Sequence, residues 1–245
     1  MKQNNIQLNR QEFKYYVAED KLESLRQSLT QVMEIDQNSI GQSNSYTITS
    51  IYFDTPFEED FEEKVDGIKS REKFRIRIYN NNYDLIKFES KKRVETVIKK
   101  TSVVISKEDT ESLCNGDYSS FRNSENEFLQ MSYSKLVSGG YRPIIVVEYD
   151  REAYFLPYGN IRITFDMNLR TYNSDTDFLN LQHASIPVFK NNLQILEVKH
   201  SIPLPSHLQL ILSKIPAARN SISKFVMGQR YNEKSLYRDP ITEPF

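Results

Sequence analysis

On segments that read as β-strands, this chain repeatedly sets charged residues two positions apart. The clearest is Arg71-Glu72-Lys73-Phe74-Arg75-Ile76-Arg77-Ile78-Tyr79. Residues i and i+2 of a strand point to one face, so Arg75 and Arg77 stand together while Phe74, Ile76 and Ile78 face the other way. The arrangement recurs in Glu89-Ser90-Lys91, Tyr149-Asp150-Arg151, Arg162-Ile163-Thr164-Phe165-Asp166 and Glu197-Val198-Lys199. A half-buried strand ordinarily alternates apolar residues with small neutral ones; here the polar face is Arg, Lys and Glu. If these faces converge they line a cationic cavity holding a few carboxylates, which suits a polyanion and a metal ion. Filling a barrel with unpaired cations is too costly unless an anion or water occupies it. Taken singly, Arg75 and Arg77 read as a solvated strand face. Glu89–Lys91 and Glu197–Lys199 read as ion pairs worth under about 1 kcal/mol. It is the repetition that points to a site.

Composition narrows the classes. The chain has 245 residues, 38% of them hydrophobic, with 15 Tyr and 14 Phe, enough for a sizeable core. A net charge of -1 gives no general pull toward nucleic acid or anionic membrane. Any cationic site is therefore local, offset by acidic surface such as Glu58-Glu59-Asp60 with Glu62-Glu63. The lone Cys114 excludes a disulfide framework, and His183, His200 and His207 lack zinc-site spacing. No apolar run approaches the ~18 residues of a membrane span, and the polar N-terminus lacks a signal-peptide core. A soluble, cytoplasmic protein with no nucleic-acid partner and no direct membrane insertion is expected.

Along the chain, strands are expected over 8–17, 46–54, 71–79, 84–93, 97–106, 144–151, 161–169 and 193–200. Amphipathic spacing of Leu22, Leu25, Leu29 and Val32 predicts a helix after Ala18. A short acidic helix is expected over 57–65, and Ser106 with Asp109 predicts an N-cap for a helix through Leu113. Further helices are expected over 127–137, 206–214 and 221–227. Residues 115–126 and 172–184 read as irregular. Asp54, before Thr55-Pro56, reads as a turn-former or a ligand. No repeat or linker divides the chain, so a single domain over 1–245 is expected, with its core at about 8–230 and a loose tail over 231–245. Hairpin-dominated strands with helices at the start, middle and end predict an antiparallel α+β fold, closed into an eight-stranded barrel.

These residues occur in a familiar order. Arg10-Gln11-Glu12-Phe13-Lys14-Tyr15, Ser50-Ile51-Tyr52-Phe53-Asp54-Thr55, Arg75-Ile76-Arg77, Ile161 to Asp166, Leu196-Glu197-Val198-Lys199 and Ser223-Lys224-Phe225 resemble the vacuolar transporter chaperone (VTC) domain. That domain is the polyphosphate-polymerase branch of the CYTH, or triphosphate tunnel metalloenzyme, superfamily. The resemblance implies an eight-stranded tunnel holding a triphosphate and a divalent cation, Mn²⁺ or Mg²⁺, and transfer of the γ-phosphate of ATP to a growing polyphosphate chain. It assigns phosphate contacts to Lys14, Arg75, Arg77, Lys91, Lys99, Tyr149, Arg151, Arg162, Lys199, Ser223 and Lys224. Arg75, Arg77, Lys91, Arg162 and Lys199 are the catalytic set among them. Lys100 is the alternative to Lys99, because strand phase after Val97 is open. Ser223 reads equally as a helix cap. Glu197 would hold the metal, and Glu12, Glu89 and Asp166 would either join it or orient the cations.

Two departures matter. The hydrolase and cyclase branches open with ExExK, whereas this chain has Arg10-x-Glu12-x-Lys14, losing a carboxylate and gaining a phosphate contact. Fungal-type polymerases carry a lysine three residues before the lysine of the Ser-Lys pair, where Ser221 stands here, so binding of the elongating product is expected to be weaker or supplied by Arg219. Hydrolysis of triphosphates in the same tunnel and a non-catalytic polyphosphate- or nucleotide-binding module remain as alternatives. Fungal relatives act in a membrane complex, so coupling to a bilayer would call for a separate membrane partner.

Overall fold

The structure, a computed structural model, describes residues 11–39, 44–172, 177–181, 184–189, 192–215 and 218–235. The strands are β1 (Gln11–Ala18), β2 (Glu34–Ile35), β3 (Tyr46–Asp54), β4 (Ser70–Tyr79), β5 (Asn82–Val94), β6 (Val97–Ile105), β7 (Arg142–Leu156), β8 (Ile161–Tyr172), β9 (Ile186–Pro187) and β10 (Leu193–His200). The helices are α1 (Glu19–Leu29), α2 (Glu59–Val65), α3 (Lys107–Cys114), α4 (Ser119–Arg122), α5 (Glu127–Ser138), α6 (Ser206–Leu212) and α7 (Lys224–Ser235). All strands join one ten-stranded antiparallel sheet in the order β1-β10-β8-β7-β3-β4-β5-β6, with β2 added to β7 and β9 to β8.

The α+β class and the antiparallel pairing match the expectation; closure of the barrel does not. Among the described residues no ladder joins β1 to β6, so the sheet is open. The outer half of β5 and most of β6 are exposed, with Lys91, Lys92, Lys99 and Lys100 on their two faces, and charge on an edge strand disfavours further pairing. The sheet nevertheless curls. Lys91 on β5 lies within electrostatic reach of Glu12 and Lys14 on β1 and of Glu197 and Lys199 on β10, from the other end of the strand order.

Period-2 alternation divides the apolar residues between the two faces. On the convex side, Phe74, Ile76 and Phe88 pack with Leu113, Phe121, Leu129 and Leu136 from α3, α4 and α5. Also convex, Ile163, Phe165, Leu196 and Val198 pack with Leu22, Leu25, Leu29 and Leu208 from α1 and α6. Arg26 of α1 adds a 2.8 Å ion pair to the buried Glu152. Ser106 and Asp109 form the expected capping box of α3.

A third apolar cluster lies on the concave face, where Tyr52, Ile145, Val147 and Ile195 meet Phe61, Ile222 and Phe225. Thus α2 and the start of α7 cover part of that face. Helix α7 comes close because Gly228 carries no side chain: a Cβ there would stand 2.9 Å from Val147 Cγ2. Asp54 caps α2, accepting backbone N–H bonds from Thr55, Asp60 and Phe61 at 2.7, 2.9 and 3.0 Å, which settles its role as structural.

Candidate functional site

Residues paired across an antiparallel ladder share a face, so register decides which charges meet. Arg75 stands opposite Tyr52 and Glu89, and Arg77 opposite Ser50. Arg151 stands opposite Asp166, Lys14 opposite Glu197, and Lys199 opposite Glu12 and Arg162. All lie on the concave face.

Each carboxylate there is gripped by cations. Glu89 Oε2 accepts from Arg75 Nε at 2.7 Å and lies 3.9 Å from Arg77, while Lys100 Nζ is 2.6 Å from Oε1. Arg75 also reaches the Tyr52 hydroxyl at 3.2 Å; Arg77 donates to Ser50 at 3.1 Å and to Tyr149 at 3.4 Å. Arg151 grips Asp166 bidentately, at 2.6 and 2.8 Å, and lies 3.8 Å from Glu197. Lys224, at the start of α7, is 2.5 Å from Asp166 and sits 4.6 Å above the Tyr149 ring. Lys199 is 2.5 Å from Glu197, and Lys14 is 3.1 Å from Glu12.

The electrostatics follow from this crowding. Burial alone would raise the carboxylates, but Arg75 and Arg77 hold Glu89 at about 2, and Arg151 with Lys224 holds Asp166 at about 2. Lys14 and Lys199 hold Glu197 well below the usual carboxylate range against the same burial. Tyr149 is lowered despite burial, by Arg151, Arg77 and Lys224. Lys91 has no carboxylate ion pair among the described residues, and surrounding protein pushes its ammonium down to about 8, with Lys14 and Lys199 adding repulsion. Its side chain is still reached by solvent. Lys91 thus stands on the curled face where solvent reaches it and other cations crowd it.

The structure therefore brings Lys14, Arg75, Arg77, Lys91, Tyr149, Arg151, Lys199 and Lys224 together with Glu12, Glu89, Asp166 and Glu197. Arg162 shares the face but turns to Asp36 at 2.9 Å and Tyr46 at 3.2 Å, leaving its buried Nε without a hydrogen-bond partner. Lys99 is corrected: it pairs with Lys92 on the opposite face, whereas Lys100 pairs with Lys91 and reaches Glu89. Ser223 sits at the start of α7 with its hydroxyl 3.5 Å from the Val226 N–H, the geometry of a cap. Arg10, His183 and residues 236–245 lie outside the described residues.

Sequence reading passed over four more cations beside this centre. Lys73 continues the row of Arg75 and Arg77, and its ammonium is buried without a hydrogen-bond partner, 3.9 Å above the Phe225 ring. Lys64 of α2 donates to Ser221 at 2.9 Å, so a lysine does reach the position where the fungal pattern has one. Arg71 and Arg93 face each other across β4 and β5. Arg219 is instead stacked 3.6 Å from the Phe13 ring.

Among the described residues no three His, Cys, Asp or Glu side chains gather into a metal cage. The donor chemistry here is that of ionised carboxylates sharing cations, Asp166 and Glu197 through Arg151. It fits a hard cation held by one or two carboxylates and completed by phosphate oxygens, not an all-protein cage. Glu197, Asp166, Glu12 and Glu89 are the carboxylates that could contribute to such an ion, and each is engaged by a lysine or arginine in the structure.

Fold and site first define a class: an antiparallel α+β protein whose curled sheet carries a cationic inner face. Within that class, the chain belongs to the VTC domain family, whose model matches residues 9–231. It is similar in structure to PH1819 from Pyrococcus horikoshii (14% identity, 91% of this chain and 99% of that one, TM-score 0.45). It is also similar to a Bacillus halodurans protein described as a candidate adenylate cyclase (13%, 94% and 100%, TM-score 0.49). A chain of the Schizosaccharomyces pombe Mediator head module is a third (10%, 94% and 96%, TM-score 0.43). A comparison with curated protein sequences finds no match. Among the described residues no helix is long and apolar enough to cross a membrane.

Proposed function

We propose that this protein is a polyphosphate polymerase, transferring the γ-phosphoryl group of ATP to the end of a polyphosphate chain on the concave face. The observation that carries this is the convergence of Lys14, Arg75, Arg77, Lys91, Arg151, Lys199 and Lys224 on one face of the sheet, beside carboxylates that stay ionised. Membership of the VTC domain family supports it. Phosphoryl transfer asks a protein chiefly for positioning and neutralisation. Arg75, Arg77 and Arg151 offer planar forks to phosphate oxygens, and the lysines act as point charges between neighbouring phosphates.

In the step itself, a terminal oxygen of the acceptor chain forms a bond to Pγ. The bond from Pγ to the bridging β–γ oxygen breaks, and ADP departs with that electron pair. No proton has to be moved, because the attacking oxygen is already anionic, which accounts for a site of cations without a general base. Glu197, with Asp166 or Glu12, would hold a divalent cation that neutralises phosphate charge when bound. Arg151 bridges Asp166 and Glu197 in the resting site, and an arriving anion competes for its guanidinium.

Incubation of the purified protein with ATP and Mn²⁺, resolving ADP, free phosphate and long-chain polyphosphate, tests the reading. We expect ADP and long chains. ADP with free phosphate alone would reassign the protein to triphosphate hydrolysis, and binding without turnover would make it a polyphosphate- or nucleotide-binding module.

A further inference from the structure

The cations of the concave face fall into two groups. In the centre, Arg75, Arg151, Lys199 and Lys224 each have a carboxylate partner. Toward α2, among the described residues, Lys64, Arg71, Lys73 and Arg93 form no ion pair; their hydrogen bonds go to Ser221, to the Ile68 carbonyl (Arg71) and to the Glu95 carbonyl (Arg93), and Lys73 makes none. The register sharpens the contrast. Arg71 is directly opposite Arg93, and Lys73 directly opposite Lys91, two like-charged cross-strand pairs in succession. Such pairs destabilise a sheet, and a buried ammonium without a hydrogen bond costs more. Mutual repulsion is visible in Lys64, which burial lowers first and Arg71, Lys14 and Arg93 lower further. A solvated surface explains Arg93, but not the buried Lys73 ammonium, which has no hydrogen-bond partner and lies 3.9 Å above the Phe225 ring on the same face as Arg75 and Arg77.

We propose that Lys64, Arg71, Lys73 and Arg93 form a second anion lobe, which holds the part of a linear polyphosphate chain extending beyond the triphosphate at the Arg75–Arg151 centre. This rests on the reading of that centre as a polyphosphate site. The length fits: Arg71 to Arg77 spans six residue steps of extended strand, about 20 Å at ~3.3 Å per residue, more than three phosphates need. The chemistry also divides sensibly. The centre has carboxylates and suits the metal-bearing donor triphosphate. The lobe's cations have Asp54, Asp60 and Glu63 within electrostatic reach but, among the described residues, ion-pair with none of them, which leaves their charge to be met by an acceptor chain. The chain then runs past α2 and Ser221, on the side where Lys14 and Lys91 bridge lobe and centre.

Calorimetric titration with tripolyphosphate and with a medium-chain polyphosphate tests this in wild type, in the Lys64→Ala/Arg71→Ala/Arg93→Ala triple variant, and in Arg75→Ala. Wild type should bind the longer chain at least about tenfold tighter per site, the worth of one charge-assisted contact. The triple variant should bind both ligands within about twofold of each other, with tripolyphosphate affinity moved less than about threefold. Retention of the long-chain preference overturns the lobe. Arg75→Ala should weaken both ligands; if it weakens neither, the reading of the centre fails instead. Should the triple variant not fold, Lys64→Gln and Arg93→Gln singly should each cut long-chain affinity about threefold and leave tripolyphosphate alone; wild-type long-chain affinity in both overturns the lobe.

Discussion

Replacing Lys73 by methionine should make the ligand-free protein more stable, an unusual result for a core-facing substitution. The Lys73 ammonium is buried, sits 3.9 Å above the Phe225 ring and has no hydrogen-bond partner. Burial pushes it from 10.5 down to about 7, with Lys64 and Arg71 repelling it and Asp60 and Asp54 partly compensating. At about 1.4 kcal/mol per pH step, the full cost of charging it in the fold is about 5 kcal/mol. Water on the partly exposed side chain reduces this, so a gain of about 2 kcal/mol is expected near pH 6. Methionine keeps the length of the side chain and places sulfur against the same ring.

The pH dependence follows from linkage. Below pH 7 the lysine is charged in both states and the native protein bears the whole cost. Between pH 7 and 10.5 the native state sheds the proton while the unfolded chain keeps it, so wild-type stability gains on the variant as pH rises. Urea denaturation of both proteins at pH 6 and pH 10 measures the difference. A variant less stable than wild type at pH 6, or an advantage that does not shrink by pH 10, would refute the reasoning.

Other outcomes follow from the same site. Lys91, held at about 8 in the free protein, should be raised by a bound phosphate chain. Affinity should then be full below pH 8 and fall as pH rises above it, with net proton uptake on binding detectable by titration in buffers of different ionisation enthalpy. Tripolyphosphate at a hundred times its dissociation constant should stabilise the fold by about 2.7 kcal/mol, raising Tm by roughly 5–10 °C for a chain of this size; calorimetry reads the shift. Lys100→Ala should weaken tripolyphosphate binding several-fold while Lys99→Ala should not, because only Lys100 shares the face of Lys91 and Glu89.

Strand parity carried most of the fold and the centre of the site. Arg75, Arg77, Arg151, Glu197 and Lys199 occupy the common face because period-2 alternation and a buried opposite face leave one register. Lys73 has the same parity and was equally readable in Arg71-x-Lys73-x-Arg75-x-Arg77. Lys99 and Lys100 could not be separated because the β5–β6 turn lacks an Asn-Gly signature. Val94 pairs with Val97 across Glu95-Thr96, with Glu95 at φ 53°, and that two-residue turn alone sets Lys100 opposite Lys91. Lys64 was hidden for another reason: it comes from α2, whose docking depends on the Asp54 cap and Phe61 rather than on any periodicity. The strands β2 and β9, two residues each, are too short to show a pattern. Barrel closure failed as an expectation because counting strands does not reveal that the outer edge is charged on both faces.

The most direct test of the concave face as a polyphosphate site is tripolyphosphate affinity, by calorimetry, in wild type and in Arg75→Ala, with circular dichroism to monitor the fold. Arg75 contacts Glu89 and Tyr52 in the ligand-free protein, and Arg77 and Lys100 still hold Glu89 when it is removed. The variant should therefore fold, and lose affinity on the order of a hundredfold, the worth of two charge-assisted hydrogen bonds. A folded variant that binds tripolyphosphate as tightly as wild type would contradict the account.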